Sequence, residues 1–167
     1  MHGTASPGKH KRLAELGVDL AIDYRRDGWW KGLPPYDIVL DAIGGKSLKR
    51  SYELLRPGGR LVGYGASGLQ QGEKRSLRTA LPQLLSMVRG FNLIKQLSES
   101  KTLIGLNMLA LRDDRGTLQP WIEPLSTALA DGIVQPVVHA AVPFANAGEA
   151  HRILAARENV GKVVLVP

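Results

Sequence analysis

"Y-D-I-V-L-D-A-I-G-G" (residues 36–45) decides how the rest of the chain is read. Ile38, Val39 and Leu40 stand in unbroken sequence, which predicts a buried strand over 36–42 of the kind parallel sheets use. Asp41 ends the run; a capping or ligand-contact role is more usual there than a catalytic one. The glycine pair 44–45 follows. "K-S-L-K-R-S-Y-E-L-L" (46–55) then places Leu48, Tyr52 and Leu55 at i, i+4 and i+7, which predicts a helix. "R-P-G-G" (56–59) stops that helix, and "R-L-V-G-Y-G" (60–65) reads as the next strand. Strand, helix, strand is the repeating unit of an α/β fold.

The same alternation extends in both directions. Upstream, residues 8–17 predict a helix with Leu13 and Leu16 on one face and Gly17 as a left-handed cap, and 19–24 predict a short strand. Downstream, 66–100 form a longer insertion in which Pro82 suits the first turn of a helix. Strands are expected over 102–111, 136–142 and 161–167, and helices over 118–132 and 144–157. The expected class is α/β, a doubly wound parallel sheet with helices on both faces. The division expected is 1–135 as the sheet domain and 136–167 as a return segment of strand, helix and strand.

Composition narrows the function. The chain has 167 residues, 44% hydrophobic and 22% charged, so it is expected to fold. With 22 Lys and Arg against 15 Asp and Glu its formal charge is +7. The basic residues are dispersed and do not alternate with aromatics, as they do on single-strand binding platforms. A small anionic ligand such as a phosphate therefore fits the charge at least as well as nucleic acid. There is no cysteine, so no disulfide, thiolate metal site or cysteine nucleophile. His2, His10, His139 and His151 show no metal-ligand spacing, and no G-x-S-x-G elbow occurs. No apolar run reaches the length of a membrane span, and the start is polar and basic; a cytoplasmic protein is expected.

In open α/β sheets ligands bind beyond the carboxyl ends of the strands. Three such ends carry glycine or small residues: "D-A-I-G-G" (41–45), "G-Y-G-A-S-G" (63–68) and "I-G-L-N" (104–107). Each alone reads as an ordinary turn; three on successive strands favour a ligand. "G-Y-G-A-S-G" has the glycines of a dinucleotide loop but follows a late strand, and is read as a chance match. A fourth end, "G-T-A-S-P-G-K" (3–9), carries Ser6 and Lys9 and no acid before Glu15, with Tyr24 after the next strand. A hydroxyl and an ammonium suit the 2′-phosphate of NADP. The alternative is a helix capped by Ser6 with Lys9 in solvent.

The segments 3–25, 36–67 and 144–167 together resemble the medium-chain dehydrogenase/reductase superfamily. They look most like its zinc-independent quinone oxidoreductase branch, and within it the synaptic vesicle membrane protein-like members. The string "L-L-R-P-G-G-R-L-V" (54–62) is also similar to methyltransferases, so a methyltransferase-like fragment is one alternative. A non-enzymatic protein keeping the fold and dimer surface is another. The resemblance implies an NADPH-dependent reductase that transfers hydride to quinones or α,β-unsaturated carbonyls. By position it assigns Ser6, Lys9 and Tyr24 to the 2′-phosphate and Ala42 and Ile43 to the adenosine. Gly65, Ala66 and Ser67 follow the dinucleotide, Ile104, Gly105 and Leu106 meet the nicotinamide end, and Arg157 returns to the cofactor. No catalytic residue and no metal ligand is assigned. A homodimer through the 102–111 strand is implied, with no nucleic-acid partner.

The family's substrate domain and its first sheet strand with the glycine-rich loop have no counterpart in the sequence. The resemblance is thus to the C-terminal part, entering at the end of the second strand, and a truncated chain inactive alone is expected. The missing strand belongs mid-sheet, so the 19–24 and 36–42 sides are expected to stand apart, each about 4.8 Å from its vacant position.

Overall fold

A computed structural model describes residues 1–65 and 92–167. Ala66, Ser67 and the helix expected from Pro82 lie outside the described residues. The chain divides into two compact units, 1–29 with 118–167, and 30–117.

The second unit holds the decisive stretch. Its strands are β3 (Tyr36–Asp41), β4 (Leu55–Gly63) and β5 (Thr102–Gly105), parallel and hydrogen-bonded in that order. Its helices are α2 (Lys46–Glu53), α3 (Leu93–Glu99) and α4 (Met108–Arg115). The predicted helix over 46–55 ends two residues early, because the residue before a proline avoids the helical region and Pro57 pulls the chain toward extended geometry. Leu55 is therefore the first residue of β4, and it is buried with Leu48, Tyr52 and Leu61. Val39 and Leu103 pack against this cluster. "R-P-G-G", expected only to stop the helix, is a bulge within β4: Tyr36 pairs with Leu55 and Ile38 already with Arg60. Gly58 has a left-handed φ of 81°, and a Cβ on Gly59 would lie 2.8 Å from the Arg56 carbonyl oxygen. Both positions need glycine.

Two further expectations change here. β3 is a parallel strand, but it is not buried throughout: Ile38 is 58% and Leu40 66% exposed while Val39 faces the core. Among the described residues, Val39 and Asp41 carry the covered face of β3. The apolar run 102–111 is strand only to Gly105. Leu106 N–H makes the last contact with the Gly63 carbonyl at 2.9 Å. Asn107 then caps α4, its Oδ1 accepting the Leu109 N–H at 3.0 Å. A continuous apolar run does not by itself separate strand from helix; the asparagine cap does.

The first unit contains two parallel pairs, each joined by a helix. β1 (His2–Ala5) pairs with β2 (Leu20–Asp23) through the 3₁₀ turn Pro7–Lys9 and α1 (His10–Glu15). α5 (Gln119–Ala130) follows the return from the second unit. β6 (Val138–Pro143) pairs with β7 (Lys162–Val166) through the 3₁₀ turn Phe144–Asn146 and α6 (Ala147–Ala156). Val142, Ala150 and Ile153 are its buried apolar residues. The expected α/β class holds, with every ladder parallel among the described residues. The ladders form three sheets there, β1-β2, β3-β4-β5 and β6-β7, so the 19–24 and 36–42 sides share no ladder and the return segment pairs with itself, as expected. No described helix is long and apolar enough to cross a membrane.

Candidate functional site

A buried polar cluster of the second unit lies at the carboxyl end of β3. Asp41 is buried, and its carboxylate accepts four hydrogen bonds. Oδ1 takes the backbone N–H groups of Ile43 and Gly44, both at 2.8 Å. Oδ2 takes the hydroxyls of Ser47 at 2.8 Å and Ser51 at 2.7 Å. The acid thus ties the strand end and the 42–45 turn to the first turns of α2 through the two serine hydroxyls, without accepting a backbone N–H of the helix itself. The signal for it was an acid followed by serines six and ten residues later, a spacing that reaches around one helix face. Gly44 (φ 77°) and Gly45 (φ 56°) supply the left-handed backbone the turn requires.

That turn faces the next strand end. A Cβ on Gly65 would lie 2.6 Å from the Ala42 carbonyl oxygen, so the two backbones touch and only glycine permits it. Ala42 and Gly65 are thereby brought together, with Ile43 exposed beside them. Gly63, Tyr64 and Gly65 share an open groove of about 600 Å³ with Gly105, Leu106, Asn107, Met108 and Leu109. Ile104 and Leu106, both 39% exposed, flank the end of β5. The carboxyl ends of three successive parallel strands thus converge in one place.

Behind this sheet, Tyr52 meets a charged group. Lys101 and Lys95 lie 5.1 and 5.9 Å from its ring centre, and Lys101 pairs with Glu99 at 3.4 Å. Burial, and then the Glu99 carboxylate, pushes the Tyr52 phenol up. Burial also pushes up Tyr36.

In the first unit β1 and β2 run in register, Ala5 opposite Asp23. Ser6 and Tyr24 therefore leave two adjacent parallel strands at the same level. Ser6 makes no side-chain cap bond, contrary to the capped-helix alternative; its carbonyl instead accepts the Lys9 N–H at 2.9 Å. The Lys9 ammonium is not left in solvent either. It is half-buried and donates to the Asn159 carbonyl. Asn159 in turn donates from Nδ2 to the Gly161 carbonyl at 2.7 Å. Asn159 is a residue that sequence reasoning missed, since a backbone carbonyl 150 positions away leaves no local trace. Arg157 stands two residues earlier as the left-handed cap of α6, φ 56°. Ser6, Lys9, Tyr24 and Arg157 thus belong to the first unit, and Ala42, Ile43, Gly65, Ile104, Gly105 and Leu106 to the second. No cluster of three metal-ligating side chains occurs among the described residues.

Known proteins share this arrangement. The chain is 31% identical to the human synaptic vesicle membrane protein VAT-1 homolog over 170 residues, 99% of this chain and 43% of that protein. A solved NAD-dependent alcohol dehydrogenase superposes with a TM-score of 0.68 at 24% identity, over 99% of this chain and 43% of its own. A quinone oxidoreductase from Pseudomonas syringae pv. Tomato does so with 0.67 at 20% identity, over 99% and 48%. The chain therefore spans less than half the length of these relatives. Residues 16–165 match the family described as zinc-binding dehydrogenase. With parallel βαβ units and glycine-bearing strand ends on which that match falls, the chain belongs to the zinc-binding dehydrogenase family, within the medium-chain dehydrogenase/reductase superfamily.

Proposed function

We propose that this chain is the dinucleotide-binding portion of an NADPH-dependent reductase, acting without zinc on quinones or α,β-unsaturated carbonyls. The observation that carries the cofactor preference is the donor set at the ends of β1 and β2. Ser6 and Tyr24 supply hydroxyls at the same register level, and Lys9 supplies an ammonium in the adjoining turn. An ammonium has three donors, and the Asn159 carbonyl takes one, so the set has capacity for a 2′-phosphate. Asp23, at the end of β2, accepts the Arg25 N–H at 3.0 Å. Ala42, Ile43, Gly65, Ala66 and Ser67 would line the adenosine and dinucleotide. Ile104, Gly105 and Leu106 would meet the nicotinamide, and Arg157 would approach from the return segment.

When bound, the nicotinamide supplies the hydride; this chain's residues hold and orient it. Residues 1–135 form the cofactor part and 136–167 the segment that returns to a substrate domain. The chain alone binds cofactor weakly and turns nothing over, consistent with spanning 43% of the VAT-1 homolog. It pairs with a second copy through the outer edge of β5, in a cytoplasmic setting. The family assignment sets aside the methyltransferase alternative.

Titration of the full chain with NADPH and NADH, followed by amide NMR shifts, tests the cofactor reading. NADPH is expected to bind more tightly, and Lys9→Ala to remove about a tenfold preference, the worth of one charge-assisted contact. Equal affinities in the unaltered chain refute it.

A further inference from the structure

We propose that His10 is a positioning residue for the subsite that receives the 2′-phosphate. The inference rests on the reading of Ser6, Lys9 and Tyr24 above and adds the group that holds two of them in place. β1 ends at Ala5, and His10 Nε2 lies 3.1 Å from the Ala5 carbonyl oxygen. A carbonyl only accepts, so Nε2 carries the proton. The four residues between strand and helix are thus closed by this bond and by two backbone bonds, Lys9 N–H to the Ser6 carbonyl and His10 N–H to the Pro7 carbonyl.

The two backbone bonds close the turn on itself, and the His10 ring ties it to the end of β1. The Ser6 hydroxyl makes no cap bond. A Cβ on Gly8 would meet nothing within 4 Å, so no side-chain packing defines the apex. α1 has six residues and none is buried, and so short a helix does not persist by itself. The half-buried His10 ring ties that helix to the strand. Lys9 is then held from two sides, its backbone next to the anchored residue and its ammonium at the Asn159 carbonyl. Without the ring, the turn keeps its backbone bonds but loses its tie to β1, and the Ser6 hydroxyl and Lys9 ammonium are held less firmly toward one ligand. A phosphate that needs both is then bound less tightly, and contacts made elsewhere to the adenosine are unchanged.

The full chain titrated with adenosine 2′,5′-bisphosphate and, separately, 5′-AMP tests this by amide NMR shifts. The unaltered chain is expected to prefer the bisphosphate. His10→Ala is expected to narrow that preference about fivefold, one lost hydrogen bond's worth, with 5′-AMP affinity unchanged. His10→Gln, which keeps a donor near the same point, is expected to restore it. Ring ¹⁵N shifts are expected to show His10 protonated at Nε2. An unchanged preference in folded His10→Ala, an equal loss for both ligands, or protonation at Nδ1 alone overturns the inference and leaves the subsite reading standing. Equal binding of the two ligands by the unaltered chain overturns that reading, and this inference with it.

Discussion

Asp41 shows how one side chain shapes the strand-end turn. Its carboxylate organises two backbone N–H groups and two serine hydroxyls in a buried place. Asp41→Ala leaves those donors without acceptors, and hydrogen bonds to a buried charge are worth more than neutral ones, so a loss of about 3 kcal/mol is expected. Asp41→Asn keeps one accepting oxygen for the backbone pair and offers N–H groups that the serine hydroxyls can accept, so about 1 kcal/mol is expected. Urea unfolding of the two variants checks the order; equal losses would mean the charge itself, rather than the geometry, matters. The acid at the end of an apolar run was visible in the sequence. Its serine partners were not singled out, because their relevance depends on which face of α2 turns toward β3.

At the scale of elements, helix α2 against β4 makes the core of the second unit, and Tyr52 is its polar risk. Burial and the Glu99 carboxylate raise its phenol above the ordinary value of 10.0. The neutral form is favoured in the folded state, so the stability it contributes is complete below pH 10 and is lost as pH rises through the folded value. Tyr52→Phe removes this titration and is expected to flatten the alkaline decline, read from denaturant midpoints at about pH 9 and about pH 11. An equally steep decline in the variant would assign it elsewhere, with Tyr36, also raised by burial, the next residue to change. Element type was legible wherever apolar spacing and breakers agreed, as in α2, β3 and the β6–α6–β7 unit. It failed over 102–111, where an apolar run was read as one strand and the Asn107 cap went unread. It also failed at Leu55, where Pro57 ended the helix before the apolar period did.

For the whole molecule, the exposed side of β3 has a consequence for association. Ile38 and Leu40 present apolar side chains to solvent, and β3 is an edge of its sheet among the described residues. Exposed apolar edge strands template pairing with other chains. Concentration-dependent association by sedimentation is expected, and Ile38→Lys with Leu40→Lys is expected to reduce it; an unchanged profile would place the contact on another surface, β5 being the proposed one. Much of the design was legible beforehand: the alternation of βαβ units and the glycine-bearing strand ends follow from local periods and residue chemistry. The sequence by itself determined the class, the parallel ladders and the residues at each strand end, because those depend on neighbours a few positions away. Only the tertiary structure decided that Ile38 and Leu40 of β3 stand exposed. It alone decided that Gly65 meets Ala42 and that Lys9 is held by a carbonyl 150 residues distant, because those are contacts between segments whose approach no local spacing encodes. The stretch 36–45 carried its strand and its acid openly; what the acid holds was settled by the fold around it.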